Sequence, residues 1–148
     1  MTAKEYLQQI YIIQRKLKRL EARREDIRND LYAVGSSQLN PVHVQTSMTG
    51  DKMAELVARV DEVEREIIQE IQLLTETKQR IISEIESMQN ENYKQLLFDR
   101  YILCKKWEWI ALDRDKGVRW IFRMHGKALN AFEKSHKNIE SDHCKTTT

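Results

Sequence analysis

Two long runs of apolar residues, stepping alternately by three and four, constrain this chain more than any other feature. The first is Ile10, Ile13, Leu17, Leu20, Ile27, Leu31 and Val34, with Arg24 at one seam position. The second is Met53, Leu56, Val60, Val63, Ile67, Ile71, Leu74, Ile81, Ile85 and Met88, with Lys78 at one seam position. An apolar period near 3.5 residues is what two helices need to pack along a shared line. One Pro and four Gly in 148 residues leave few places where such helices could break. The expected fold class is therefore all-α. In the second run, Val63, Ile67 and Ile71 follow each other by four and four, a stutter that locally relaxes a supercoil.

Thr2 and Glu5 have the spacing of a capping box, so the first helix should begin there. Gly35 is its natural stop. Residues 36–50 read as a polar loop holding Pro41, and Asp51 suits the start of the second helix. Two seams joined by a loop predict an antiparallel coiled-coil hairpin over residues 1–90. Folding back symmetrically about the loop sets Leu31 near Ala54, Leu20 near Arg65 to Ile67, and Leu7 near Lys78. Arg24 then falls beside Asp61 and Glu62. Arg24 and Lys78 either snorkel out of the seam or set its register. The last ten or so residues of the second helix should extend past Thr2 and either carry the C-terminal unit away from the hairpin or find a partner chain.

Charge is unevenly spread. Residues 1–50 carry a net +3, residues 51–91 a net −6 and residues 92–148 a net +5. The first basic segment can pair with the acidic one, whereas the last has no internal partner of that size and suits an anionic one. No apolar run approaches the roughly 20 residues of a membrane span, and no signal peptide is visible. Two cysteines, Cys104 and Cys144, make no disulfide framework, so a reducing, cytoplasmic setting is expected. There is no Gly-rich phosphate loop, metal-spaced cluster or activated nucleophile motif, so neither an enzyme nor a cofactor is expected.

Asn90 or Asn92 can cap a further helix. From Tyr93 to Phe132 three short amphipathic helices fit, with breaks at Cys104-Lys105-Lys106 and Arg114-Asp115-Lys116-Gly117. That is the size of a helix-turn-helix DNA-binding unit, here placed over residues 91–134. Its core should come from Leu96, Leu97, Tyr101, Ile110, Ala111, Ile121, Met124, Ala128 and Leu129. Residues 135–148 are polar and aperiodic and read as a disordered tail.

The segment Arg100-Tyr101, then Trp107-Glu108 with Ile110-Ala111, then Val118-Arg119, Ile121, Arg123-Met124-His125-Gly126 and Ala128-Leu129 resembles region 4 of sigma-70-type factors. It is more similar still to phage and prophage proteins of Gram-positive bacteria that join such a unit to an N-terminal coiled coil and are mostly of unassigned function. Lys4-Glu5-Tyr6-Leu7, Val44-Gln45-Thr46-Ser47 and Gly50-Asp51-Lys52-Met53 look like the same family. The resemblance covers the chain to about Lys134 and implies a transcription-related DNA-binding role. Asp115 stands where the family usually has Gly, Gly117 where it has a Ser or Thr cap, and Arg114 and Lys116 where it has apolar turn residues.

If the third helix lies in the major groove, Arg119 and Arg123, four apart on one face, are the candidates for base or phosphate contact. Lys105, Lys106, Arg114, Lys116 and Lys127 suit phosphate contacts that position the unit. The plain alternative for all of them is a solvated basic face. Trp107 suits core or cap packing, Trp109 a half-exposed place, and Trp120 either packing or wedging. His125 beside Met124 reads as structural, and Cys104 as a small turn residue. His136, His143 and Cys144 lack a second pair at zinc-finger spacing, so no metal is expected.

The leading expectation is a DNA-binding transcription regulator, an accessory sigma-like activator of phage late-gene type in a bacterial host cell. The chain has no room for the promoter-melting parts of a full sigma factor. Expected partners are double-stranded DNA, RNA polymerase and a second copy through the coiled coil. Competing readings are a coiled-coil adaptor that binds only protein, and a small-terminase-like subunit of phage DNA packaging.

Overall fold

The computed structural model describes residues 1–37 and 46–143, with side chains described over 1–36 and 50–137. Among these residues the fold is all-α. The helices are α1 (Ala3–Ser37), α2 (Thr46–Glu86), α3 (Glu91–Leu97), α4 (Trp107–Asp113) and α5 (Val118–His143), and a wider π-helical turn, Phe98–Ile102, prolongs α3. No helix among them is long and apolar enough to cross a membrane.

The capping box forms in both directions. The Glu5 N–H donates to Thr2 Oγ1 at 3.2 Å, and the Thr2 N–H donates to Glu5 Oε2 at 2.7 Å. These bonds hold the Glu5 carboxyl below its ordinary pKa. Gly35 does not stop α1, which runs on to Ser37, and α2 begins at Thr46 rather than at Asp51. Gly lowers helix stability by about 1 kcal/mol but does not forbid it, and neither Gly35 nor Gly50 takes a positive φ. Of the expected 36–50 loop, residues 38–45 lie outside the described residues.

α1 and α2 form an antiparallel hairpin, with Tyr6 bonded to Glu84, Arg80 to Gln9, Lys16 to Glu70 and Arg28 to Glu64. Lys16–Glu70 lies within one position of the symmetric expectation, and the other three pairs lie four to seven positions beyond it. The chain condenses into two compact units, Ile13–Leu74 and Met1–Ile12 with the chain from Thr75.

In the unit of residues 13–74, Leu20, Ile27, Leu56, Val63 and Ile67 form the core, with Leu17, Leu31, Val34 and Val60 packed on it. Fully burying each such side chain is worth about 1.5–3 kcal/mol. Cross-helix charge runs as expected, from cations on α1 (Lys16, Arg28) to carboxylates on α2 (Glu70, Glu64). Arg24 differs from expectation. It makes no ion pair with Asp61 or Glu62, and its Nε is buried without a hydrogen bond. The stutter is also elsewhere. After Ile67 the inward positions are Glu70, Leu74, Thr77, Ile81 and Ile85, so the heptad step continues and the paired fours fall at Thr77, Ile81 and Ile85. Glu70 is 8% exposed and Ile71 is 47% exposed. The Lys16 ammonium against Glu70 offsets the carboxylate's desolvation.

In the other unit, Leu7 and Ile10 of α1 and Ile81, Ile85 and Met88 of α2 are buried, as are Leu96, Leu97, Tyr101, Ile110, Ala111, Ile121, Ala128 and Phe132. The far end of α2 thus joins the C-terminal helices. Met124 and Leu129, expected in the core, are half-buried, and Asp99 and His125 are buried instead. The expected disorder from residue 135 does not hold as far as His143, where α5 ends. Phe132 and His136, one turn apart, pack against Tyr6 with ring centroids at 6.1 and 5.0 Å, His136 edge-on. Residues 144–148 lie outside the described residues.

The displaced seam sets an expected ordering of stabilities in chemical denaturation. Ile67→Ala should cost about 2–5 kcal/mol and Ile71→Gln less than about 1 kcal/mol. Equal losses would return Ile71 to the seam.

Candidate nucleic-acid interface

The three-helix unit is built from short elements with defined ends. Asn90 caps α3, its side-chain oxygen accepting the Tyr93 N–H at 3.2 Å. The π-helical turn ends where Cys104 takes φ 55°, and the Leu103 and Lys105 N–H groups each donate at 3.0 Å, to the carbonyls of Phe98 and Asp99. α4 ends in the same manner. Asp115 takes φ 51°, its N–H donates to Leu112 O at 3.1 Å, and the Lys116 N–H donates to Ala111 O at 3.0 Å. That pair of bonds is a Schellman motif, which usually has Gly at the position Asp115 holds. The Gly117 carbonyl then accepts the Trp120 and Ile121 N–H groups and starts α5. Ile110, Ala111 and Ile121 are buried where α4 and α5 pack, and the small Ala111 permits their close approach.

Asp99 fixes how these elements meet, and sequence reasoning missed it. Its carboxylate is 5% exposed, accepts from Gln95 Nε2 at 3.1 Å, and lies 3.6 Å from Lys105 Nζ and 4.0 Å from Arg114 Nη2. Lys105 Nζ also donates to Asp113 Oδ2 at 3.0 Å. That bond first, and the Asp99 charge next, raise the Lys105 pKa. Arg114, standing where the resembled family has an apolar turn residue, is half-buried and turned to Asp99. The one available signal was Asp99's isolation as an acid four residues after Gln95 in a basic segment.

The seven candidate residues therefore fall into three groups. Lys105 and Arg114 are drawn into the Asp99 cluster. Arg119, Arg123 and Lys127 are exposed along one face of α5, together with Gly126 and Asn130. Among the described residues these three cations make no ion pair. Lys106 and Lys116 are exposed just before and just after α4, with Lys116 Nζ 5.6 Å from the Trp120 ring. On α4, Trp109 and Leu112 are 60% and 69% exposed.

Trp107 packs edge-on against Phe122 at 5.2 Å and His125 at 4.7 Å, and Arg100 stacks over it at 4.4 Å. The Tyr101 hydroxyl and His125 Nε2 are hydrogen-bonded at 2.9 Å. Burial first, then the charges of Lys4 and Arg100, push His125 down to about 4, and burial raises Tyr101 to about 12. Among the described residues no group of His, Cys, Asp and Glu is placed to hold a metal ion. His136 instead lies 3.5 Å from Glu84, whose Oε1 also accepts from the Tyr6 hydroxyl at 2.7 Å. The side chain of His143 and all of Cys144 lie outside the description.

Comparison with family models, with curated proteins and with solved structures gives no match.

Two outcomes follow from this geometry. Asp115→Gly should stabilise the fold by about 1 kcal/mol, since a left-handed backbone strains every residue with a Cβ more than Gly; a fall in Tm would contradict the turn. His125 is held neutral in the fold down to about pH 4, against 6.5 for a free imidazole, so the unfolded chain binds more protons between those values. Stability is complete above about pH 6.5 and is lost as pH falls toward 4, by roughly 2 kcal/mol after solvent screening. Urea unfolding at pH 5 and 7 should show that loss for the native chain and a smaller one for His125→Gln.

Proposed function

We propose that this chain is a DNA-binding transcription regulator, an accessory sigma-region-4-like activator of phage or prophage type. The observation that carries the reading is the unpaired basic face of α5, formed by Arg119, Arg123 and Lys127 and left open beyond the turn that joins it to α4. A helix of this kind fits the major groove with the two arginines toward base edges and phosphates. Lys106 and Lys116 suit phosphate contacts at either end of α4. Lys105 and Arg114 serve mainly to hold the unit in shape.

The test is binding of duplex DNA across a salt series. Each phosphate contact contributes about 0.9 to the slope of log affinity against log salt, so Arg119→Ala with Arg123→Ala should reduce the slope by up to about 2. Sequence preference, measured by selection from a random pool, should relax in the same variant. A slope and preference unchanged by the double substitution would remove the reading.

A second reading rests on the exposed Trp109 and Leu112 of α4, three residues apart on one face. It makes the chain an adaptor that binds protein, RNA polymerase included. In that case a pull-down partner survives the arginine substitutions and is lost with Trp109→Ala. Val57, Ile68 and Ile71, exposed on α2, favour a second copy as a further partner. Mass measurement in solution separates such a dimer from the rings of a DNA-packaging subunit.

A further inference from the structure

Beside the interior end of Trp107, within the unit that includes Met1–Ile12 and the C-terminal helices, lies a cleft of about 210 Å³. Its lining is of two kinds. Tyr11, Trp107 and Phe122 supply aromatic walls, and Lys4 and Arg100 supply positive charge; the Tyr101–His125 pair closes it. No carboxylate lines it.

The two cations are left without an anion. Arg100 is held only by neutral groups: its Nη1 donates to the Lys105 carbonyl at 2.8 Å, and its guanidinium stacks over Trp107 at 4.4 Å and Tyr11 at 5.6 Å. Lys4 is exposed on the first turn of α1 and makes no ion pair among the described residues. Burial first, and then both of these charges, disfavour a proton on His125. An anion bound there would relieve repulsion among like charges in a partly desolvated site.

Shape narrows the anion. The volume is below the roughly 300 Å³ at which pockets for drug-sized ligands begin, so a nucleotide does not fit. Aromatic edges and faces on several sides favour a flat ring over a compact inorganic ion. We propose that this cleft binds a small planar carboxylate, of the size of benzoate, with its ring among Tyr11, Trp107 and Phe122 and its carboxylate toward Lys4 and Arg100. Phe122, half-exposed one helical turn from Arg119, puts the cleft beside the basic face of α5, but the site does not require that face to bind DNA.

Sodium benzoate titrated into the full-length chain at constant ionic strength, followed by NMR of the tryptophan indole N–H groups, tests the site. Saturable movement of the Trp107 resonance is expected, with Trp109 and Trp120 little changed. Benzyl alcohol, which keeps the ring without the charge, and inorganic phosphate, which keeps the charge without the ring, should each bind at least about fivefold more weakly, a factor of the size one exposed charge contact contributes. Lys4→Ala, at an exposed position that leaves folding intact, should weaken benzoate by about the same factor, and Lys4→Arg should restore it. The proposal fails if benzyl alcohol binds as tightly as benzoate, if phosphate does, if Trp109 or Trp120 responds as strongly as Trp107, or if Lys4→Ala leaves the affinity unchanged.

Discussion

A carboxylate that is 5% exposed loses most of its hydration, and it persists as an ion only where neighbouring charge replaces the water. Asp99 has Lys105 Nζ at 3.6 Å, Arg114 Nη2 at 4.0 Å and a hydrogen bond from Gln95, contributed by the segment after α3, the turn after α4 and α3 itself. The constraint is mutual. If the two cations left, the carboxylate would be stranded, and if the carboxylate were absent, Arg114 would hold a half-buried charge without an opposite. The cluster joins the turn after α4 to the end of α3. Apolar packing of Ile110, Ala111 and Ile121 brings α4 and α5 together, and the charge cluster fixes the turn between them.

Glu70 shows the same physics in the hairpin. The apolar pattern offers Ile71 to the seam, yet Glu70 is the buried residue and Ile71 is half-exposed. Continuing the step of three after Ile67 keeps the helix face in phase, whereas a second step of four would rotate it out of phase at that point. Lys16 makes burial of the carboxylate tolerable. Arg24, in a comparable place on α1, has a buried Nε with no hydrogen bond, so its long chain fills the seam without a charge partner.

The candidate interface rests on differences in engagement among residues of one charge. Lys105 and Arg119 are both basic residues of the C-terminal segment, and composition treats them alike. In the fold, Lys105 sits between Asp99 and Asp113 and Arg119 faces solvent. Only cations of the second kind have their charge available to an anionic partner. The same distinction picks out Lys4 and Arg100 at the cleft beside Trp107, which contact no carboxylate although separated by most of the sequence.

Local chemistry was legible in the sequence. Thr2 and Glu5 cap α1 because their spacing alone allows the reciprocal bonds, Asn90 caps α3 for a similar reason, and the α1 seam, the α2 seam as far as Ile67 and the positions of α4 and α5 follow from period and breaks. The all-α class was therefore determined by residues a few positions apart. What tertiary structure alone decided involves residues far apart in the chain. Glu70 is buried against Lys16, Phe132 and His136 of α5 lie against Tyr6 of α1, and Asp99 is met by Lys105 and Arg114 from other segments. Helical periodicity encodes which face a residue occupies. It does not encode the opposite face it meets, and the balance between desolvation and a distant countercharge is settled only when the two are brought together.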